Sequence, residues 1–213
     1  MDLQFSLKEA AAIADVPEPF VRKAIVQKAV RPRRVSAGRT VRHRFDVNDM
    51  LFLKLISEFP FDLSRHDKDA LRSLLEGKQT RAGKWSKTKT DFVARNGDLA
   101  VVVECKNVRS RLLRDLATYR RGVKRIVSDP EIMAGEPVFA GTRIPLAHIS
   151  GLIAKGVKRE EIVEDYPALS GADLDFASIH SKMKRNPGRP PKPLRFVRRP
   201  LPPTTSRAGP KRR

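Results

Sequence analysis

The chain has 213 residues, of which 44 are lysine or arginine and 24 are aspartate or glutamate, so its formal net charge is +20. An excess of this size favours nucleic acid as the first candidate partner and an acidic protein as the second. A single cysteine excludes an internal disulfide, and neither a signal peptide nor a transmembrane stretch is recognisable, so we expect a soluble cytoplasmic protein.

Residues 1–59 are predicted to form one domain. Ser6 and Glu9 have the spacing of a capping box and open a first helix. A second helix is predicted from Pro19 to Ala29, ahead of the helix-breaking Pro32. Residues 33–45 then predict a basic β-hairpin, and Asp46 caps an apolar helix that runs to Phe59.

This order of elements resembles the winged helix-turn-helix domains of the MerR and excisionase type. The resemblance is carried by "FSLKEAAAIADVPEPFVRKAIVQ", by "RPRRVSAGRTVRHRF" and by "DVNDML". It implies a helix in the major groove and a hairpin on the flanking phosphates. The implied DNA-binding residues are Arg22, Lys23, Gln27 and Lys28 on the second helix and Arg33, Arg34, Arg39, Arg42 and Arg44 on the hairpin. The alternative is a helical domain whose basic face is only solvated.

Residues 60–122 are predicted to connect the domains and to form a dimer. The pattern predicts a helix from Leu63 to Gly77, a basic loop or short strand over residues 79–90, and a short helix from Arg109 to Gly122. Between them, residues 91–104 predict two strands joined at Asn96-Gly97, a strong hairpin signal. Trp85 is expected in the core, and Cys105 is expected as a buried strand residue.

An enzymatic alternative rests on this hairpin. Asp91, Glu104 and Lys106 have the D…E-x-K layout of restriction-type nucleases, in which two carboxylates hold Mg²⁺. The motif is short, and the region has too few strands and helices for a nuclease core. We therefore expect no catalytic residue, no metal and no cofactor.

Residues 123–185 are predicted to form a second helical domain behind a stiff segment, "DPEIMAGEPVFAGTRIP". Gly135 and Gly141 permit backbone angles that other residues resist, and the prolines favour an extended path. Arg143 is expected to pin a loop through its guanidinium group. We predict an extended lead or strand pair docked on three helices, which span Leu146–Lys155, Lys158–Asp165 and Ser170–Lys184.

This region closely resembles an uncharacterised small helical domain found in VapB-like antitoxins. The resemblance implies a three-helix, helix-turn-helix-like bundle that mediates dimerisation, and a cognate toxin that is a PIN-like ribonuclease. Residues that match the segment are Asp129, Pro130, Gly135, Pro137, Val138, Gly141, Thr142, Arg143, Ile144 and Pro145.

Residues 186–213 form a tail with half of the 16 prolines of the chain, nine lysines and arginines, and no acid. Such a segment cannot bury enough apolar surface to fold alone. Together with the resemblance it predicts a toxin-binding tail whose cations pair with the acidic Mg²⁺ site of the ribonuclease. The predicted toxin-binding residues are Arg189, Lys192, Arg195, Arg198 and Arg199, with Leu194 and Phe196 as apolar anchors.

The whole sequence thus predicts an α+β, mainly helical protein. We expect a dimeric antitoxin that neutralises a PIN-like ribonuclease and binds its own operator DNA to repress transcription. The alternatives are a winged-helix regulator without a toxin, and the nuclease. The tail core "NPGRPPK" also resembles an AT-hook, which would place it in the DNA minor groove.

Overall fold

The computed structural model describes residues 4–37, 40–59, 62–77, 85–88, 91–96 and 99–183. In these residues the fold is mixed, with eight α-helices and three small antiparallel sheets. The mixed, mainly helical class predicted from the sequence is confirmed at this level. No helix among the described residues is both long enough and apolar enough to cross a membrane.

The first part of the chain has the element order predicted from the sequence. The predicted capping box forms, since Ser6 exchanges hydrogen bonds with Glu9, and Asp46 caps α3 as predicted, in a box with Asp49. Phe5 and Phe45 pair across an isolated antiparallel bridge, which ties the start of the first helix to the base of the hairpin. The elements are α1 (Leu7–Ala14), α2 (Glu18–Val26), β1 (Arg33–Ala37), β2 (Thr40–Arg44) and α3 (Val47–Ser57).

The middle part differs from the prediction at one helix. It contains α4 (Arg65–Leu75), the three-stranded sheet β3 (Trp85–Lys87), β4 (Phe92–Asn96) and β5 (Leu99–Val103), and α5 (Cys105–Val123). Helix α5 begins four residues before the predicted start at Arg109, so the expectation that Cys105 is a strand residue is wrong. Trp85 lies in the core as predicted, and its indole N–H donates to Asp67 at 2.7 Å.

The C-terminal part confirms the strand pair and the three helices. Strand β6 (Ile126–Val127) pairs with β7 (Val138–Phe139), and a 3₁₀ turn (Met133–Gly135) lies between them. Helices α6 (Leu146–Ala154), α7 (Arg159–Asp165) and α8 (Gly171–Ser181) follow. Ser170 and Asp173 form a capping box at the start of α8.

Helix α5 joins the three parts of the chain. Its buried stripe is Val108, Leu112, Leu116, Tyr119 and Gly122, spaced as one face of a helix. This stripe packs against α1, α3 and α8. The buried side chains form one continuous core from the first helix to the last, although the domain limits predicted at residues 59, 122 and 185 remain predictions.

An aromatic cluster sits where α5 meets α1 and α8. The ring of Tyr119 lies 6.3 Å from that of Phe5 and 5.6 Å from that of Phe176, measured between centroids. Its hydroxyl donates to Glu9 at 2.7 Å, so the capping carboxylate of α1 also satisfies a buried phenol. Burial and this hydrogen bond raise the pKa of Tyr119, which therefore stays a neutral donor.

An ion pair between a buried carboxylate and a half-exposed arginine secures the start of α8. The side chain of Asp173 is 1% exposed and accepts two hydrogen bonds from Arg125, both 3.2 Å long. It also accepts from the N–H and the hydroxyl of Ser170. Burial raises the pKa of Asp173, but the hydrogen bonds from Arg125 and Ser170 outweigh it, and the pKa lies below the ordinary value of 3.8.

This arrangement predicts a pH-dependent stability difference for Asp173→Asn. At pH 7 the variant should lose about 1–3 kcal/mol of unfolding free energy, at the lower end because Arg125 is half exposed. A carboxyl with a depressed folded-state pKa stabilises the fold above its unfolded-state pKa, and that stability disappears as the pH falls through the folded-state pKa. Urea unfolding at pH 7 and near pH 3 measures the difference in unfolding free energy between the wild type and the variant. A difference of equal size at both pH values would contradict a depressed pKa for Asp173.

Candidate nucleic-acid interface

Helix α2 presents cations on its outer face. Val21 and Ala24 are buried against the core, whereas Arg22 and Lys23 are exposed. Pro17 occupies the N-cap position and Pro19 the first turn, where a missing N–H is tolerated. The outer face of α2 is therefore free to contact another molecule.

The predicted end of this helix is wrong by three residues. It ends at Val26 rather than Ala29, with Gln27 as the C-cap and Lys28 in the left-handed region at φ 58°. Non-glycine residues rarely adopt this conformation, so no local pattern signals the early end of the helix. Gln27 and Lys28 consequently lie in the turn after α2, where both are exposed.

The hairpin β1–β2 places like charges opposite one another. Arg33 pairs with Arg44, and Val35 pairs with Arg42, so three arginines lie on one face of the two-stranded sheet; Arg34 lies on the other face, opposite His43. Like charges directly opposite destabilise a strand pair. A bound polyanion would remove that repulsion, which makes this hairpin a candidate site for phosphate groups. Arg39 lies outside the described residues.

Some of the predicted DNA-contact residues interact with other residues of the chain, and the others are exposed cations without an ion-pair partner. Residues 22–44 contain nine lysines and arginines and no acid. Arg22 pairs with Glu18 at 3.4 Å, and Gln27 accepts a hydrogen bond from Lys68 at 3.5 Å. Arg44 is half-buried, and its charge helps to lower the pKa of Glu9. In the part of the chain that is described, the predicted contact cations that are exposed and have no ion-pair partner are Lys23, Lys28, Arg33, Arg34 and Arg42.

The D…E-x-K residues do not have the strand context that the motif requires. Strand β5 ends at Val103, Glu104 is the N-cap residue of α5, and Lys106 lies on the helix. The side chain of Glu104 accepts a hydrogen bond from Asn107 instead of facing a strand neighbour. Within the described residues no group of three histidine, cysteine, aspartate or glutamate side chains is placed to hold a metal ion.

The surroundings of Cys105, which lies between Glu104 and Lys106, do not activate its thiol as a nucleophile. It is half-buried at the start of α5. Burial, assisted by the charge of Asp91, raises the pKa of the Cys105 thiol to about 11. A thiol in this state is almost entirely protonated at neutral pH and is a poor nucleophile.

The segment from Asp129 to Pro145 is held by its own turns. Asp129 accepts from the N–H of Glu131, and Thr142 donates to the carbonyl of Phe139 at 2.8 Å while accepting from the N–H of Ile144. Gly135 and Gly141 have φ values of 83° and 78°, as their type predicts. Arg143 is exposed, and the loop-pinning role expected for it stays a prediction.

The rest of the motif is structural in the same way. Pro130 lies in the turn after Asp129, Pro137 precedes β7, and Pro145 is the N-cap of α6 and bridges to Val138. Sequence reasoning missed the left-handed backbone of Met133 and Ala134, at φ 49° and 54°, because only glycine signals such a turn reliably.

The residues predicted to bind a toxin all lie outside the described residues. They are Arg189, Lys192, Leu194, Arg195, Phe196, Arg198 and Arg199. The last described helix ends close to α1, because Lys182 pairs with Asp15 at 2.7 Å. The described residues therefore end beside the first helix.

Known proteins resemble parts of this chain. An uncharacterized protein, y4eO, of Sinorhizobium fredii (strain NBRC 101917 / NGR234) is 34% identical over 80 residues, which make up 38% of this chain and 35% of that protein. The matched stretch thus spans about a third of the length of this curated relative. The X-ray crystal structure of Rv2018 from Mycobacterium tuberculosis aligns with 84% of this chain and 99% of its own, at 14% identity and a TM-score of 0.37. Residues 126–179, which run from β6 into α8, match the family described as "Protein of unknown function (DUF433)".

Proposed function

We propose that this chain is the antitoxin of a type II toxin–antitoxin system. Its N-terminal part binds operator DNA, and its basic C-terminal tail neutralises a PIN-like ribonuclease. The observation that carries the DNA-binding part is the stretch of residues 22–44, which runs from the outer face of α2 through the β1–β2 hairpin and contains nine lysines and arginines and no acid. The antitoxin part rests on the resemblance of residues 129–145 and on the composition of the tail.

The order of the N-terminal elements supports the proposed winged helix-turn-helix. Helices α1 and α2 are joined by a short turn at residues 15–17, and the β1–β2 hairpin, the proposed wing, follows α2. In this architecture Arg22 and Lys23 face base edges or phosphates in the major groove. Arg33, Arg34 and Arg42 on the wing contact flanking phosphates, which position the protein without reading sequence.

Dimerisation is part of the proposal, because helix-turn-helix proteins bind two half-sites related by twofold symmetry. Strand β5 is an edge strand that pairs only with β4, among the strands described. Val101 and Val102 on this strand are 38% and 59% exposed, and Val101 lines a groove with Leu55 and Phe59. An exposed apolar edge is a surface that a second copy of the chain can cover. The α6–α8 bundle is the second proposed dimer element.

Two alternatives compete with the antitoxin. A regulator without a toxin has the same α2 and hairpin surface, so the structural features that support DNA binding do not distinguish the two. The nuclease is disfavoured by a specific observation, the helical start of α5 at Cys105, which removes Lys106 from the strand.

A pull-down from the native host separates these functions. The full chain is compared with a variant in which Arg189, Arg195, Arg198 and Arg199 become serine. The control variant replaces Arg207, Lys211, Arg212 and Arg213, so that both lose four positive charges from the same tail. We expect the wild type and the control to recover a small ribonuclease, and the first variant to lose it, because charge-assisted hydrogen bonds to the toxin carboxylates are removed.

The other outcomes of the pull-down are equally informative. Recovery by all three chains would move the toxin interface into the folded part and contradict the tail mechanism. Recovery of no such protein by the wild type, with salt-sensitive DNA binding retained, would support the regulator without a toxin.

A further inference from the structure

A groove runs along the turn between α1 and α2. It has a volume of about 520 Å³, and Lys182, at the end of the described chain, also lines it. Its floor is apolar and rigid, because Val16 is buried and two prolines follow within three residues. The other residues of the turn that line the groove are Asp15, Pro17, Glu18, Pro19 and Arg22.

Glu18 in this groove is incompletely satisfied. Its side chain is 14% exposed, and its Oε2 accepts one long hydrogen bond, 3.4 Å, from Arg22. Its Oε1 is buried and has no hydrogen-bond partner among the described residues. A carboxylate oxygen that has lost water without gaining a donor destabilises the protein, so a cation that reaches the groove would be bound there.

The residues that follow Lys182 in the sequence are a source of cations for this groove. Lys182 Nζ lies 2.7 Å from Asp15 Oδ1, and the described residues end one position later at Met183. The next six residues are "KRNPGR", with three cations, one proline and no acid. Two residues of chain span at most about 7 Å, so Lys184 and Arg185 begin within side-chain reach of the groove.

We propose that residues 184–189 bind in the groove at the α1–α2 turn, with Lys184 or Arg185 donating to Glu18. A small rotation of the Glu18 side chain presents Oε1 to the donor. Pro187 packs against Pro17 and Pro19, and the Lys182–Asp15 pair fixes the direction of entry. Charge complementarity, the unsatisfied oxygen and the position where the described chain ends all select this occupant.

The bound segment has a consequence for Arg22, which rests on the proposed function. Glu18 cannot hold the tail cation and Arg22 equally well, so binding of the segment releases Arg22 toward DNA. A toxin that captures the tail withdraws the segment, and Glu18 then retains Arg22. The groove thus couples toxin binding to the DNA surface.

Assigned ¹⁵N NMR spectra of the full chain test the docking without DNA or toxin, so the result does not depend on the proposed function. The double variant Lys184→Ser/Arg185→Ser is compared with Lys211→Ser/Arg212→Ser, which removes the same charge from the far end of the tail. The near variant is expected to shift the amide signals of Val16, Glu18 and Phe20, and the far variant to leave them in place. Unchanged signals in the near variant, or equal shifts in both, would overturn the proposal.

A reciprocal variant keeps the test independent of the tail substitutions. The ¹H–¹⁵N heteronuclear NOE of residues 184–189 should exceed that of residues 204–209 in the wild type. Glu18→Gln should lower it to the value of residues 204–209, whereas Glu164→Gln, a matched change of an exposed acid on α7, should leave it unaltered. A wild-type NOE no higher than that of residues 204–209, or one insensitive to Glu18→Gln, would refute the docking.

Discussion

Replacing Arg33, Arg34 and Arg42 with glutamine is expected to weaken binding to double-stranded DNA by on the order of a hundredfold near 0.1 M salt. Each cation that neutralises a phosphate releases about 0.9 of a counterion, so three lost contacts remove roughly three units from the slope of log K against log salt. Arg33 and Arg42 face the same side of the hairpin, and Arg34 lies on the other. All three are exposed, so their removal leaves the core intact. Fluorescence anisotropy at several salt concentrations measures both quantities.

A control variant with the same change in net charge tests whether DNA binding depends on the α2 and hairpin surface or only on the net charge of the chain. Arg114, Arg120 and Arg121 are exposed on α5 and have no ion-pair partner among the described residues. Their replacement with glutamine lowers the net charge of the chain by the same amount. The control should keep nearly the wild-type slope and affinity. If both variants lose affinity equally, DNA binding is a property of the net charge of +20 and the interface assigned to α2 and the hairpin is wrong.

The substitution Gly122→Ala should destabilise the fold by on the order of 2 kcal/mol, because α5 and α8 are in close contact there. A Cβ added at Gly122 would lie 2.0 Å from Cγ and 2.4 Å from Cβ of Phe176. Phe176 is itself buried against Tyr119, so it has no space to withdraw. This loss of unfolding free energy is net of the roughly 1 kcal/mol by which alanine normally stabilises a helix relative to glycine. Urea unfolding followed by circular dichroism measures the change.

Gly151→Ala is the matched control for this prediction. Gly151 lies in α6, and a Cβ added there meets no heavy atom within 4 Å. Alanine should therefore be neutral or should stabilise the protein by up to about 1 kcal/mol. Should Gly122→Ala stabilise the protein as well, the close α5–α8 contact would not exist in solution.

Local sequence patterns were sufficient for most helix starts and turns. Ser6, Asp46 and Ser170 cap the helices that are predicted to start there, and Asn96 pairs with Leu99 at the end of the predicted hairpin. These features depend on residues within four positions of each other, so a single sequence contains the information. The cations of residues 22–44 were recognisable for the same reason.

Features that depend on distant partners were not predictable. The start of α5 was obscured because the valines of β5 run directly into it, and the helical spacing begins only with Val108. The Tyr119–Glu9 hydrogen bond spans 110 positions, and the Arg125–Asp173 pair spans 48. The sequence likewise does not reveal that Arg22 pairs with Glu18 or that Gln27 accepts a hydrogen bond from Lys68. Two of the predicted DNA-contact residues thus have partners within the chain.

The most direct test of the account is the affinity of the full chain for the DNA upstream of its own gene. It is compared with shuffled DNA of the same length at near-physiological salt. An autoregulating antitoxin should prefer its own upstream DNA by at least about 10³-fold and protect two half-sites roughly one helical turn apart. Equal affinity for both DNAs, without a protected site, would contradict the proposal that this chain binds an operator.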